Sequence, residues 1–438
     1  MFELPKYGDG VCLARMAELL DAVAVDRTWL SRISVVVTGS NGKGSTAALC
    51  AGIARAYGLR TGLFTSPHLY RFNERFQVDG APIGDDELAR LIGRITAAIA
   101  AISDRRGEKF GAFEAMFALA CLHFQECGCD FAVFEAGIGG RYDPVRLVGA
   151  HVTCVASVDY EHVELLGPSL SLIASDKSDA CASGGTIVYG ENCRSLRPHL
   201  IEYNRTRGIA SLFVREEIAI GNESVAPIAP HFDFRFGDCD FRRLEIGLPG
   251  AFQFNNAAIV VALFLLWLRR TQPDASAAGI EAATRSGLRE ARWPGRLEVI
   301  RQQPLTVIDV GHTPDGVRQS LASLKAIHGA EGWILVTGVS FDKKAEEIVA
   351  WLAPSFDTIV CTAAHHKGAA AEAIAAAART SNPQATIHVA AAIEDAVRLS
   401  AALAAHRNRK IYVAGGLFLA IEYAVVAGGG RAQDLDFF

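Results

Sequence analysis

The stretch Val35-Val36-Val37-Thr38-Gly39-Ser40-Asn41-Gly42-Lys43-Gly44-Ser45-Thr46 constrains this chain more than any other, because an apolar strand runs straight into a glycine-rich turn bearing a lysine and hydroxyls. Glycines let backbone N–H groups converge on an anion, the following helix points its positive end there, Lys43 adds charge, and Ser45 can ligate magnesium. The usual mononucleotide spacing has a glycine where Val37 stands, so the string is a compressed variant, Gly-x-x-Gly-Lys-Gly-Ser-Thr. A solvated lysine in a chance turn could give a similar string. The setting argues against that, since Ile33 to Thr38 reads as a buried parallel strand and Ala47 to Tyr57 as a helix. Asn41, Gly42, Lys43, Gly44, Ser45 and Thr46 are therefore the expected cradle for the phosphates of ATP.

Strand-like runs alternate with helix-length connections at Ile33 to Thr38, Thr61 to Thr65, Phe131 to Glu135, Val152 to Ser157 and Thr186 to Tyr189. This rhythm predicts an α/β fold with a doubly wound, mostly parallel sheet whose ligands bind beyond the carboxyl ends of the strands. From about Ser211 to Leu248 the pattern turns to polar alternation, as in Phe232-Asp233-Phe234-Arg235-Phe236, which predicts a small antiparallel side sheet. Helical stretches follow at Asn255 to Arg270 and Ala275 to Leu288, and Trp293-Pro294-Gly295-Arg296 punctuates a boundary. A second strand-helix series then runs through Leu305 to Asp309, Trp333 to Thr337, Thr358 to Thr362, Thr386 to Ala390 and Lys410 to Ala414, predicting a smaller Rossmann-like α/β domain. The expected domains are 1–292 and 293–438, in keeping with a chain of 438 residues.

The net charge of -5 gives no electrostatic footprint for nucleic acid. The longest apolar run, Ala257 to Leu268, is too short for a bilayer core and reads as a buried helix. Met1 to Lys6 carries no basic segment followed by an apolar block, so the expectation is a cytoplasmic protein without membrane attachment. The ten cysteines lack zinc or Cys-x-x-Cys spacing and read as free, mostly buried thiols. Nine lysines among 43 basic residues make a lysine inside a motif less incidental.

Further motifs follow in a fixed order: Thr65-Ser66-Pro67-His68-Leu69, Phe72-Asn73-Glu74-Arg75, Phe113-Glu114, Phe134-Glu135-Ala136-Gly137-Ile138-Gly139-Gly140-Arg141, His162-Val163-Glu164-Leu165-Leu166-Gly167, Lys177, Gln253 to Ala257, Pro294-Gly295-Arg296, Asp309-Val310-Gly311-His312, Asp342-Lys343 and Gly415 to Leu419. Taken with the phosphate loop, they resemble the folylpolyglutamate synthase and dihydrofolate synthase family, a branch of the Mur-type ATP-dependent amide ligases. The resemblance spans nearly the whole chain. It implies that a carboxylate is phosphorylated by ATP to an acyl phosphate, which an amino-acid amine then attacks. Cations and donors placed in advance must stabilise transfer between two anions.

By that resemblance, Lys43 and the loop amides hold the β- and γ-phosphates, and Ser45, Ser66 and Glu135 surround a first Mg²⁺. Glu135 ends a buried strand, and its alternative partner is Arg141. His162 matches the histidine of a second Mg²⁺. Lys177 matches a lysine that is carbamylated in such ligases; the alternative is a surface helix lysine. Asn256 fits the adenine side, Arg296 and Asp309 the nucleotide phosphates and ribose, Phe113 and Asp143 the acyl substrate, and His312 the amino acid. The implied partners are a small-molecule carboxylate and an amino acid, bound by a monomer acting in folate biosynthesis and one-carbon metabolism. Closure of the two domains would assemble the site and exclude water.

The substrate side departs from the family pattern. Asp-Ala-Thr-Asn becomes Tyr142-Asp143-Pro144-Val145 before Arg146, Leu-Asp-His becomes Tyr160-Glu161-His162, a threonine becomes Phe117, and Lys-Ala-Gly-Ile becomes Lys177-Ser178-Asp179-Ala180. Ala-His-Asn-Pro becomes Gly311-His312-Thr313-Pro314, Gly-Ser-Leu-Tyr-Leu becomes Gly415-Gly416-Leu417-Phe418-Leu419, and an expected arginine is replaced by His366 or Lys367. Lost donors in a polar pocket change specificity strongly. The leading expectation is glutamate addition to dihydropteroate, to folates, or to both. The rival expectations are a ligase for another acid or amino acid, and a nucleotide-binding scaffold without catalysis.

Overall fold

The computed structural model describes residues 4–5, 8–10 and 12–437, with Arg407 described for its backbone alone. Most of the Met1 to Lys6 segment lies outside these residues.

Eight strands form the first sheet: β1 (Ser34–Thr38), β2 (Thr61–Phe64), β3 (Phe76–Val78), β4 (Ala81–Pro82), β5 (Phe131–Glu135), β6 (Val152–Val155), β7 (Thr186–Tyr189) and β8 (Ala210–Phe213). Their order is β4-β3-β2-β5-β1-β6-β7-β8, with β2 to β4 antiparallel at one edge and every other pairing parallel. Strand β1 is buried along its whole length, as expected for a strand covered on both faces. Helices Lys43–Ala56, Phe252–Thr271 and Ala277–Glu290 pack together over one hydrophobic cluster, while Leu13–Ala22, Asp85–Arg106 and Ala112–Glu126 cover another. The chain leaves β1 toward β2, then crosses from β5 over β1 to β6, so the carboxyl ends of these strands flank the place where the winding reverses.

Helix Phe252–Thr271 is long and apolar enough to cross a membrane, yet it is 78% buried within the molecule. This is the buried helix expected from Ala257 to Leu268. The ten cysteines are free and seven of them are buried.

The side sheet comprises β9 (Ala219–Ser224), β10 (His231–Phe236) and β11 (Cys239–Glu245), all antiparallel. Phe232, Phe234 and Phe236 point into the core while Arg235 faces out, which is the alternation legible in the sequence. It begins later than expected. Residues 210–213 join the main sheet instead, because Phe213 stacks on Tyr189 of β7 with centroids 4.8 Å apart.

The second domain carries β12 (Glu298–Gln302), β13 (Leu305–Ile308), β14 (Trp333–Thr337), β15 (Thr358–Thr362), β16 (Thr386–Ala390) and β17 (Lys410–Ala414), ordered β12-β13-β17-β14-β15-β16. Only β12 runs antiparallel. It is an unanticipated edge strand with few apolar residues. Leu69, from the loop after β2, is buried in the same cluster as Ile308, Val310 and Val413, so apolar packing joins the two domains beside the β2 end.

Candidate active site

The phosphate loop sits between the end of β1 and helix Lys43–Ala56. The helix starts at Lys43, earlier than the sequence suggested, so Lys43 to Thr46 form its first turn; Thr46 N donates to Gly42 O at 2.9 Å, and the N–H groups of Lys43, Gly44 and Ser45 are the donors that a helix start leaves without an intrahelical partner. Gly42 caps it in the left-handed region at φ 84°, and a Cβ there would lie 3.0 Å from Asn256 Oδ1. Asn256 in turn donates to Gln253 Oε1 at 2.9 Å, and Gln253 reaches Ser45 Oγ at 3.4 Å. Ser157, after β6, donates to Asn41 O at 3.0 Å and accepts from Asn41 N at 2.8 Å. Thr313 of the second domain donates to Asn41 Oδ1 at 3.0 Å. Asn41 Nδ2 and Thr46 Oγ1 are buried without a hydrogen-bond partner.

Lys43 Nζ donates to Gly39 O at 2.8 Å. Its charge is felt at Glu135, Asp143, Glu161, His162, Lys177 and His312, which places all of these around one centre. Glu135, 4% exposed at the end of β5, accepts from Ser66 N at 3.1 Å. Burial pushes its carboxyl up to about 7, against the pull of Lys43, Ser66 N–H, Arg296 and Arg75. Arg141 is not its partner: that guanidinium pairs with Asp179 at 2.6 Å and lies 4.0 Å from Asp176. Among the described residues no cluster of three or more His, Cys, Asp or Glu could hold a metal. A buried carboxylate in contact with the half-buried Ser66, together with the hydroxyl of the buried Ser45 in the phosphate loop, nonetheless has the chemistry to suit a hard divalent cation completed by phosphate oxygens and water.

His162 follows β6 and adopts φ 44°, ψ 42°, a left-handed conformation uncommon outside glycine but one that histidine enters more readily than most residues. Burial lowers the pKa of its ring. Lys177 is 1% exposed, so it is no surface lysine, and its Nζ donates to Glu161 Oε1 at 2.6 Å. Burial disfavours both charges; Lys43 and Lys177 overcome it at Glu161, whose carboxyl is brought down to about 2. Asp143 accepts from the N–H groups of Gly137, Ile138 and Val145 at 2.9 to 3.0 Å, so it shapes the loop after β5. The Phe113 ring lies over Gly137, where a Cβ would come within 2.9 Å of it.

From the second domain, Arg296 acts electrostatically on Glu135, Asp309 and His312. It makes no hydrogen bond or ion pair with a described residue. Asp309, 1% exposed, accepts from Leu297 N at 3.1 Å, Gly311 N at 2.9 Å and Ser320 Oγ at 2.8 Å, so its oxygens hold the surrounding loop. His312 Nδ1 lies 3.2 Å from Val310 O, and burial, with nearby Lys343, brings its pKa down to about 4.

Comparison with known proteins gives three concordant results. Residues 295–417 match the Mur ligase, glutamate ligase domain. The chain is 31% identical over 322 residues to the dihydrofolate synthase/folylpolyglutamate synthase of Bacillus subtilis, covering 73% of each protein. The chain belongs to the folylpolyglutamate synthase/dihydrofolate synthase family. Folylpolyglutamate synthase of Lacticaseibacillus casei is 30% identical over 324 residues, covering 74% of each chain. The structure of Mycobacterium tuberculosis folylpolyglutamate synthase complexed with ADP superposes with a TM-score of 0.84 at 26% identity, covering 95% of this chain and 94% of that one. As a member of this ligase family, the protein is an ATP-dependent, amide-forming enzyme.

Within that family framework, several residues at the site escaped the sequence reading. Glu161 was visible only as a departure from the pattern, yet it partners Lys177. Trp293 lies against Gly44, where a Cβ would be 3.0 Å from its Nε1. Asp176 holds Gly140 N at 2.9 Å, and Thr313 bridges the domains at Asn41. Asp176 had no local signal and Thr313 was visible only as a departure from the pattern, because each acts on a partner far away in sequence.

Proposed function

We propose that the enzyme joins glutamate to dihydropteroate, to folates, or to both, through an acyl phosphate. The observation that carries this reading is the convergence of Lys43, Ser66 and Glu135 from one domain with Arg296 and His312 from the other. We divide the chain into an ATP-binding domain, residues 1–292, and an amino-acid-side domain, residues 293–438.

Lys43 and the amides of Asn41 to Thr46 hold the β- and γ-phosphates, with Asn256 toward the adenine and Arg296 on the phosphates. Asp309 acts at the ribose side through the loop it holds. Ser45, Ser66 and Glu135 would hold one magnesium ion and His162 a second, and such ions would supply positive charge against that building on a transferring phosphoryl group. Lys43 and Arg296 supply fixed positive charge on opposite walls, so the phosphoryl oxygens are stabilised without solvent reorganisation. Phe113 and the loop shaped by Asp143 bound the acyl substrate. His312, neutral at physiological pH, faces the incoming amine with its Nδ1 engaged by Val310 O. Thr313 and Leu69 draw the domains together, and closure keeps water from the acyl phosphate.

Carbamylation of Lys177 belongs to this reading as well, and it requires the Glu161 ion pair to open first. Carbon-13 NMR with labelled bicarbonate tests it directly. We further propose a soluble cytoplasmic monomer.

A second reading, a ligase for a different acid, is favoured by one observation: Tyr142 and Tyr160, both at positions where the sequence departs from the family pattern, are each 55% exposed. Mass spectrometry of products formed from ATP, Mg²⁺ and glutamate with dihydropteroate or tetrahydrofolate separates the two. A glutamate-extended product supports folate chemistry; ADP release with another acid alone supports the second reading.

A further inference from the structure

The motifs Thr65 to Leu69 and Phe72 to Arg75 contain two buried residues, His68 and Arg75, to which the mechanism above gives no task. His68 is 3% exposed and stands between two partners. Its Nδ1 accepts from Arg75 Nε at 2.9 Å, and its Nε2 lies 2.7 Å from the carbonyl oxygen of Asp436 in the second domain. A ring that accepts at Nδ1 must donate at Nε2, so these contacts select one neutral tautomer. On the other side, Arg75 and Glu135 each act on the charge of the other.

The segment that supplies Asp436 is itself well seated. Leu435 and Phe437 pack on the cluster formed by Ile308, Val310, Val413 and Tyr423, the same cluster that buries Leu69 from the first domain. The Phe437 ring meets Phe418 at 4.8 Å and His366 at 5.3 Å. Hydrogen bonds therefore run from the Asp436 carbonyl through His68 to the Arg75 guanidinium, whose charge acts on Glu135, while Arg75 O accepts from Thr65 N at 3.1 Å and the adjoining Ser66 N donates to Glu135 at 3.1 Å. Burying a guanidinium is unfavourable compared with apolar packing, and such groups concentrate where a charge must be held for chemistry.

We propose that His68 is a positioning residue: docked on the Asp436 carbonyl, it aims Arg75 at Glu135, so that the Arg431–Phe437 segment couples the seating of the second domain to the phosphoryl-transfer side of the first. This deepens the reading of Glu135 given above and rests on it. The segment acts on the reaction without touching substrate.

Two substitutions divide the ring's functions. His68→Asn keeps an acceptor near the Nδ1 position and loses the donor to Asp436; His68→Gln keeps a donor near the Nε2 position and loses the acceptor for Arg75. Each is expected to lower kcat for ADP release about 10-fold, the size of one hydrogen bond to a charged group, with KM for ATP held within about two-fold. Phe437→Ala is expected to lower kcat in the same way, and the Phe437→Ala/His68→Asn double variant to be no slower than His68→Asn alone, because both break one path. Nitrogen-15 spectra of histidine-labelled protein should show the His68 ring as the Nε2–H tautomer, with its hydrogen-bonded Nε2 signal shifted in Phe437→Ala.

Wild-type kcat in His68→Gln would reduce the contact to a tether and overturn the proposal. So would additive losses in the double variant, or an Nδ1–H ring. If the unsubstituted protein turned over neither folate-type acid, the functional reading would fail separately, because the tautomer measurement needs no turnover.

Discussion

The proposed nucleotide side and the proposed acyl side of the site differ in how their polar groups are satisfied. Around the phosphate loop, Asn41 Nδ2 and Thr46 Oγ1 are buried without partners, and Arg296 makes no hydrogen bond or ion pair with a described residue. Around the acyl side, polar groups are consumed internally: Asp143 by three backbone N–H groups, Asp179 by Arg141, Tyr203 and Arg207, Lys177 by Glu161. Tyr142, Tyr160 and Leu165 are exposed there, alongside the charged Arg146 and Glu164. Buried polar groups left unsatisfied are unfavourable for the fold; Arg207 Nε is one as well, but Asn41 Nδ2 and Thr46 Oγ1 lie in the phosphate loop itself, where a polar ligand would complete them. On the proposed acyl side most of these groups are paired within the chain, and the exposed rings of Tyr142 and Tyr160 would suit contact with a flat apolar body.

This contrast predicts that substitutions on the nucleotide side will cost activity and those on the acyl side will cost stability. The largest effect is expected from Lys43→Ala, which removes the charge felt by Glu135, Asp143, Glu161 and His312. ADP release should fall by about 10³-fold or more, the upper range for one preorganised donor. A variant retaining a tenth of the activity would break the contrast at its strongest point.

On the acyl side, Glu161→Gln leaves the Lys177 ammonium buried without its counter-ion. Breaking one partner of a buried pair costs about 3 kcal/mol, readable as a shifted urea midpoint with an unchanged slope. The Glu161 carboxyl is held at about 2, so the stability it adds in the parent protein is present above the ordinary carboxylate pKa and disappears as pH falls toward 2. The variant and parent should therefore converge in acid.

The two sides were unequally legible in the sequence. The phosphate loop could be read because strand, glycine turn and helix are contiguous, and β1, β5 and β7 fell within a residue of expectation. Strand β12 could not, since an edge strand with one half-covered face carries little hydrophobic signal. Residues 210–213 looked like the start of the side sheet because polar alternation begins nearby; the Tyr189 stack that draws them into the main sheet is a tertiary contact. Motif residues Glu135, His162, Lys177 and Arg296 were singled out from the sequence, but not their company. Glu161 on Lys177, Thr313 on Asn41 and a backbone carbonyl on His68 are pairings across the fold, with no periodicity to reveal them.

Glu135→Gln sharpens the comparison by separating stability from activity in a single residue. Burial raises the Glu135 carboxyl from 4.5 to about 7, so the folded state holds a proton that the unfolded chain releases, and stability falls as pH rises between those values. An uncharged glutamine keeps an acceptor for Ser66 N–H and escapes this loss. In the absence of nucleotide and magnesium, the variant should be more stable than the parent by roughly 2–3 kcal/mol above pH 7, with the advantage vanishing near pH 4.5. Its ADP release should be slow and should require more magnesium. Equal stability at pH 8 would place Glu135 with the internally satisfied groups.

The smallest expected effect, and the most selective, belongs to Gly416→Ser. A Cβ at this position meets nothing closer than Gly338 O at 3.5 Å, and the backbone is extended at φ -175°, so serine is accommodated without strain. Stability should change by less than about 0.5 kcal/mol, as for substitutions that disturb neither core nor cap. Nucleotide affinity should not change either, since the residue starts a helix of the second domain, away from the phosphate loop. The hydroxyl adds a donor where the family pattern has one. If the acceptor is glutamate, KM for the amino acid should fall while KM for ATP stays constant, the signature of binding gained at one substrate alone. If KM for glutamate rises instead, the glycine is part of a pocket shaped for a different amine, and the divergence of this chain lies on the acceptor side as well as the acyl side.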